Sequence, residues 1–246
     1  MLNKAYVEIT NQCNLSCAFC PKTRRPPRRM SAAEFAAAAE ALQGHVRFLY
    51  LHLMGEPLSH PELGEILNIA GQKGFRVCIT TNGTLLEQRS AVLTAHAAVL
   101  HKLSVSLHAL EGSGVGLSMD AYLKSVWSVC SLLRGQGVHC ALRLWNEGGA
   151  AERNGEILRF LEEKTGVDPE MLPRTRSRSR VLGKDLFLEQ EQVFAWPGRT
   201  KKQPKPGRSF VSGCGTSWAC FLTARWCPAA WITRGMCPWG ISLKRP

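Results

Sequence analysis

Three cysteines stand within eight positions near the start of the chain, in "CNLSCAFCPKT": Cys13, Cys17 and Cys20, spaced C-x3-C-x2-C. Three thiols do not make a disulfide framework, which needs pairs, and they fall one short of a closed structural zinc site. Three thiolates on a metal centre leave one coordination position open for a small molecule. Zinc completed by His60 or by another cysteine is the alternative use of the same residues.

Such a loop needs a scaffold, and the sequence behind it alternates between two periods. Residues 5–10 ("AYVEIT"), 48–54, 76–81, 103–107 and 139–145 read as strands, with a sixth near 186–190. Between them lie helical stretches. Ser31 and Glu34 make a capping-box pattern before residues 35–43. Pro61 suits a first helical position and Gly74 a helix end, and residues 84–98, 120–134 and 152–163 complete the set. Strand–helix alternation of this kind predicts parallel strands with right-handed crossovers: a barrel, a partial barrel or an open sheet. "RTRSRSR" (174–180) reads as a solvated loop.

In parallel α/β folds ligands gather at the carboxyl ends of the strands. The special residues fall there: the cysteine loop, then Met54-Gly55-Glu56-Pro57, Thr80-Thr81-Asn82-Gly83, Ser104 with Ser106 and His108, and Arg143 with Asn146. Taken singly, Gly55-Glu56-Pro57 is also a turn, Thr80 and Asn82 are also turn formers, and Ser106 and Arg143 also serve as structural residues. His108 reads as a satisfied loop histidine, and Cys78, Cys130 and Cys140 as small buried hydrophobes.

The cysteine spacing with Phe19 before the third cysteine resembles the radical S-adenosylmethionine (radical SAM) superfamily, over residues 5 to about 190. The resemblance implies a partial (β/α)6 TIM-like barrel, α/β in class. It implies that Cys13, Cys17 and Cys20 hold a [4Fe-4S] cluster whose open iron takes S-adenosylmethionine. Gly55 and Glu56 match the family's GGE-type stretch, with Met54 in place of its first glycine. They would meet the cofactor's amino group. Phe19, Thr80, Asn82 and Ser106 would border the cofactor, and Arg143 would face a carboxylate. The implied reaction is reductive cleavage of the cofactor to a 5′-deoxyadenosyl radical that takes hydrogen from a substrate. An electron donor such as flavodoxin or ferredoxin would serve it. No catalytic side chain is assigned.

Composition agrees with an enzyme that keeps its own core. The chain has 246 residues, 45% of them hydrophobic, and no apolar run that approaches the roughly 20 residues of a membrane span. Ten cysteines and no recognisable signal peptide predict a reducing cytoplasm. The net charge of +12 suggests nucleic acid, but its distribution excludes that: residues 197–246 carry nine Lys/Arg and no acid, which leaves 22 basic against 19 acidic side chains in the rest. The expected division is a core over 1–190, a linker over 191–196 and an irregular tail over 197–246.

That tail holds four of the chain's seven Trp and four cysteines, Cys214, Cys220, Cys227 and Cys237, without strand or helix period. Single-codon residues let part of its gene be read one frame over. Trp226-Cys227 must then give Val, Trp231-Ile232 Asp, Met236-Cys237 Val and Trp239-Gly240 Gly. The shifted frame permits "DGTVVPCCLD" and "LGNIFE", which resemble the SPASM or twitch auxiliary-cluster extension behind radical SAM cores. The tail is therefore expected to be a frameshifted, disordered remnant of that extension. Such extensions accompany peptide or protein modification, which makes a peptide the expected substrate; the alternatives are a radical SAM enzyme on a small molecule and, given the damaged tail, a catalytically defective iron–sulfur-binding protein.

Overall fold

A computed structural model describes residues 3–23, 25–113, 116–149, 151–175, 179–193, 217–221 and 225–228, the last two segments by backbone only. The predicted alternation is present. Strands β1 (Lys4–Val7), β2 (Phe48–Tyr50), β3 (Arg76–Thr81), β4 (Leu100–Ser106) and β5 (His139–Glu147) are each followed by a helix: α1 (Ala32–Leu42), α2 (Leu63–Gln72), α3 (Leu86–Ala95), α4 (Met119–Gly135) and α5 (Asn154–Thr165). Strands β6 (Ser179–Gly183) and β7 (Leu186–Gln192) follow, and β8 (Ser217–Phe221) and β9 (Arg225–Pro228) lie in the tail.

The sheet order is β6-β7-β5-β4-β3-β2-β1-β8-β9. The run from β7 to β1 is parallel throughout, and β6 and β9 are antiparallel to their neighbours. Among the described residues the two edge strands do not pair, so the barrel is partial. Among the described residues no helix is long and apolar enough to cross a membrane.

Local chemistry accounts for the elements. The Ser31 side chain accepts from the Glu34 N–H (3.2 Å) while Glu34 accepts from the Ser31 N–H (2.9 Å), which closes the expected capping box on α1. Helix α2 buries Leu63, Ile66, Leu67 and Ala70, one stripe at i, i+3, i+4 and i+7. It begins two residues after Pro61, with Glu62 as the N-cap at non-helical φ −92°, ψ 24° and the Glu62 N–H satisfied by His60 Nδ1 (3.2 Å).

One expectation changes. Ser179 and Arg180 belong to β6, not to a solvated loop: Arg180 Nε donates to Leu172 O (3.0 Å) and the guanidinium bonds Gln190. The hairpin turns through Gly183-Lys184-Asp185, with Asp185 at φ 56°. The predictions for 197–246 lie almost wholly outside the described residues. What is described there is the β8–β9 backbone hairpin, with β8 parallel to β1 from Lys4↔Ser217 to Val7↔Cys220.

The two faces of the sheet differ. On the helix-covered face Val77, Leu103, Val105, Leu142 and Leu144 are buried to 2% exposure or less. Each contributes about 2 kcal/mol of apolar burial. The concave face carries Lys4, Tyr6, Tyr50, His52, Thr80, Lys102 and Arg143, all half-buried.

Candidate metal and cofactor site

The cysteine loop leaves β1 and lies across the carboxyl ends of the next three strands. At β2 the Glu56 N–H donates to Gln12 O (2.8 Å). Here Gly55 has φ 77°, and a Cβ on it would stand 2.4 Å from Thr10 O and 2.8 Å from Gln12 O. Only glycine allows the loop to come this near. At β3, Asn82 Nδ2 donates to Asn14 Oδ1 (2.9 Å) and lies 3.8 Å from Cys13 Sγ. Beyond β4, Cys17 Sγ is 3.5 Å from Ala109 O, and the Phe19 ring meets His108 at 4.8 Å between centroids.

Cys13, Cys17, Cys20, Lys22, Met54 and Gly55 line a cavity of about 490 Å³. The three cysteines are free thiols. Burial and the neighbouring sulfurs of Cys13 and Cys20 push the Cys17 thiol up to about 11. Burial likewise raises Cys13, helped by Glu56 and Cys20. Cys13 and Cys17, thiols that resist ionisation, are the kind of donor a metal centre would convert to thiolate by its own charge.

Among the described residues no three His, Cys, Asp or Glu side chains are close enough to hold a single metal ion. His60 does not complete a zinc site: it is buried, its Nε2 bonds Met30 O (2.9 Å) and its Nδ1 accepts from Glu62. The donor set fits a cluster, in which each thiolate binds a different iron.

The strand-end residues divide in how they are used. Glu56 is 2% exposed, and its oxygens accept from the backbone N–H of Leu58 (2.9 Å) and Asn82 (2.8 Å). It braces the end of β2 against the end of β3. Burial raises its carboxyl to about 7, against those two backbone donors, which lower it. Asn82 is held from a third side, where its carbonyl accepts from the Tyr122 hydroxyl (2.8 Å). Gly83 next to it has φ 83° and no room for a Cβ, with Tyr122 Oη 2.7 Å and Val105 2.8 Å away.

Thr80 and Arg143 meet on the concave face, where Arg143 Nη1 donates to Thr80 Oγ1 (3.3 Å) and Nε to Glu189 (3.0 Å). Ser106 stands beside them, paired in register with Arg143. His108 is a buried histidine whose Nδ1 lies 3.2 Å from Arg143 O and 3.3 Å from the Trp145 N–H, the tautomer deciding which of the two it bonds. Burial lowers its pKa first of all. Cys130 and Cys140 are buried in the core, and Cys78 is buried on the concave side.

Sequence reasoning missed several partners. Glu8, fully buried, accepts from Arg25 (2.9 Å) and from the Met54 N–H (3.0 Å), tying the cysteine loop to the end of β2. A lone Glu in "AYVEIT" at a position of polar parity was the available signal. Glu189 was passed over as part of an alternating strand. Burial alone would raise its carboxyl, but Arg143 and Lys102 outweigh this and hold it below the usual range.

A parallel α/β sheet with a three-thiol loop across its carboxyl ends defines a class of scaffold: a partial barrel whose strand ends border a thiol-lined cavity. The sequence profile of the radical SAM superfamily matches residues 7–143, more than half of the chain, and the chain belongs to that superfamily. The family implies S-adenosylmethionine and an iron–sulfur cluster.

A curated relative, the probable GTP 3′,8-cyclase of Methanothermobacter thermautotrophicus, is 29% identical over 179 residues, which is 63% of this chain and 56% of that protein. The antilisterial bacteriocin subtilosin biosynthesis protein AlbA of Bacillus subtilis is 33% identical over 91 residues, 36% of this chain and 20% of that one. The chain thus spans about half the length, or less, of these relatives. Among solved structures, Streptococcus suis SuiB bound to S-adenosylmethionine matches with a TM-score of 0.63 at 14% identity, over 96% of this chain and 62% of that one. This is a likeness of fold. SuiB has also been solved bound to its precursor peptide SuiA.

Proposed function

We propose that the chain is the core of a radical SAM enzyme, with Cys13, Cys17 and Cys20 as ligands of a [4Fe-4S] cluster and S-adenosylmethionine bound beside it. The observation that carries this is the convergence of the three thiols on one cavity at the carboxyl ends of parallel strands, next to the Gly55-Glu56 edge. When bound, the two groups supply reductive cleavage of the sulfonium to a 5′-deoxyadenosyl radical that abstracts hydrogen from the substrate.

The chain's residues supply position. Gly55 lets the cysteine loop close on β2. Glu56 acts through the two backbone N–H groups it fixes. Phe19, Thr80, Asn82, Ser106 and Arg143 border the cofactor.

A peptide is the favoured substrate class, supported by the names of AlbA and of SuiB with its precursor peptide, and a small molecule is the alternative. The electron donor is of the flavodoxin or ferredoxin kind. The test is anaerobic incubation with dithionite and S-adenosylmethionine. Release of 5′-deoxyadenosine and methionine is expected even without substrate, and intact cofactor after complete cluster loading would refute the reading.

For the tail, the frameshift reading rests on the four codon-forced residues. Resequencing the DNA across codons 190–200 tests it. A clean frame there, with an alternate frame that does not spell the auxiliary-cluster phrases, would remove it.

A further inference from the structure

The centre of the concave sheet face lies below the cysteine loop and has a composition that the cofactor site does not explain. Register places Tyr6, Tyr50, Cys78 and Lys102 in one row across β1 to β4. The Tyr6 and Tyr50 rings stack at 4.9 Å, and His52 stands 5.8 Å and 5.9 Å from them. Lys4 leans over this pair, its Nζ 5.6 Å and 5.3 Å from the two ring centroids. Lys102 and Arg143 reach in from β4 and β5, and Arg76 from β3. Burial, then the cations of Arg143 and Lys4, lower the pKa of His52 to about 3, so the ring is neutral.

The charges of this region do not balance. Lys102 and Arg143 share one carboxylate, Glu189, at 2.6 Å and 3.0 Å. Glu8, on the same face, is taken by Arg25 at 2.6 Å, and Asp185 by His139 at 2.7 Å. Glu191 is engaged in an interaction of its own. Lys4 and Arg76 have no carboxylate partner among the described residues.

No undescribed side chain makes up the deficit, because all 19 acidic residues of the chain are among the described ones. Among the described residues Arg76 Nε, His52 Nδ1 and Trp145 Nε1 are shielded from solvent and find no hydrogen-bond partner, although Arg76 Nη2 donates to Leu100 O (3.0 Å). Trp145 lies under the Arg143 guanidinium, 4.1 Å from it. Cations held over aromatic faces in a concave, half-dry surface, with spare hydrogen-bonding atoms, form a receptor for an oxyanion.

We propose that this face is the substrate's anion-binding site: Lys4, Arg76 and Lys102, with Arg143 at its rim, receive a carboxylate or phosphate group of the substrate below the cofactor. The inference rests on the function proposed above and names the chemistry of the substrate that site would take.

The test is calorimetric titration of the full chain, with and without a reconstituted cluster, using three probes: inorganic pyrophosphate, the peptide Gly-Glu-Glu-Gly and its neutral counterpart Gly-Gln-Gln-Gly. The basic tail also attracts anions, so the deciding quantity is the difference between wild type and Lys4→Gln, which share that tail. The account expects Lys4→Gln to weaken the preferred oxyanion about tenfold, while Lys4→Arg keeps it within about twofold. Preference for pyrophosphate or for the Glu peptide identifies a phosphate-bearing or carboxylate-bearing substrate. Equal binding of the Glu and Gln peptides with no pyrophosphate binding, or identical titrations of wild type and Lys4→Gln, would overturn the proposal. Because the titration needs neither cluster nor S-adenosylmethionine, its failure is separate from failure of iron loading.

Discussion

The same strands present two unlike faces. Toward the helices, Val77, Leu103, Val105, Leu142 and Leu144 are dry and apolar. Toward the cleft, alternate residues of those strands are Thr80, Lys102 and Arg143, joined by Lys4 of β1 and Tyr50 of β2, all half-buried and polar. Pleating separates the two roles residue by residue: the first face stabilises the fold, and the second is free to carry charge that a core would not tolerate. Glu56 sits where they meet, at the strand ends, buried like a core residue yet ionisable.

The largest effect should come from the helix side. Leu103→Ala removes a fully buried side chain and should cost about 2–5 kcal/mol in a denaturant titration. A loss below about 1 kcal/mol would mean that this face is not the stabilising one.

At the junction, Glu56→Ala orphans the N–H groups of Leu58 and Asn82 and should cost about 1–3 kcal/mol. The variant Glu56→Gln addresses the proton. Burial raises this carboxyl from its ordinary 4.5 to about 7, so the folded protein binds that proton more tightly than the unfolded chain. Its contribution to stability is therefore complete below 4.5 and fades as pH rises through 7. The wild-type denaturation midpoint should fall over that interval and the Glu56→Gln midpoint should not; parallel profiles would show that Glu56 is ionised throughout.

The smallest stability effect should come from the cleft. Glu189→Gln strips Lys102 and Arg143 of a shared counter-ion, but the three side chains are 17–29% exposed and solvent screens them. A change of about 1 kcal/mol or less is expected, together with tighter oxyanion binding. A loss near that of Leu103→Ala would move the ion triad to the structural side of the comparison.

Elements with a strong local signal were legible in the sequence. The capping box of Ser31 and Glu34, the stripe of α2 and the alternation of strands and helices follow from period and side-chain type alone. The rim of polar strand ends was legible too, because parallel topology brings those ends together. The partners of those residues were not. Glu189 meets Lys102 only because β7 inserts beside β5, and that register depends on contacts distant in sequence. The Glu56 carboxylate looked like a ligand group from its motif, but its burial depends on how tightly Gly55 lets the cysteine loop close. The β6 strand was hidden by four arginines in "RTRSRSR", which masked the Gly-Lys-Asp turn after it.

The central claim is that Cys13, Cys17 and Cys20 together hold an iron–sulfur cluster. Its most direct test is iron, sulfide and zinc analysis of the anaerobically reconstituted protein beside Cys17→Ala, with the charge-transfer absorbance recorded on both. About four irons with matching sulfide in the wild type, and loss of both the iron and the absorbance in the variant, are the expected result. Stoichiometric zinc without iron uptake, or full iron retention in Cys17→Ala, would contradict it.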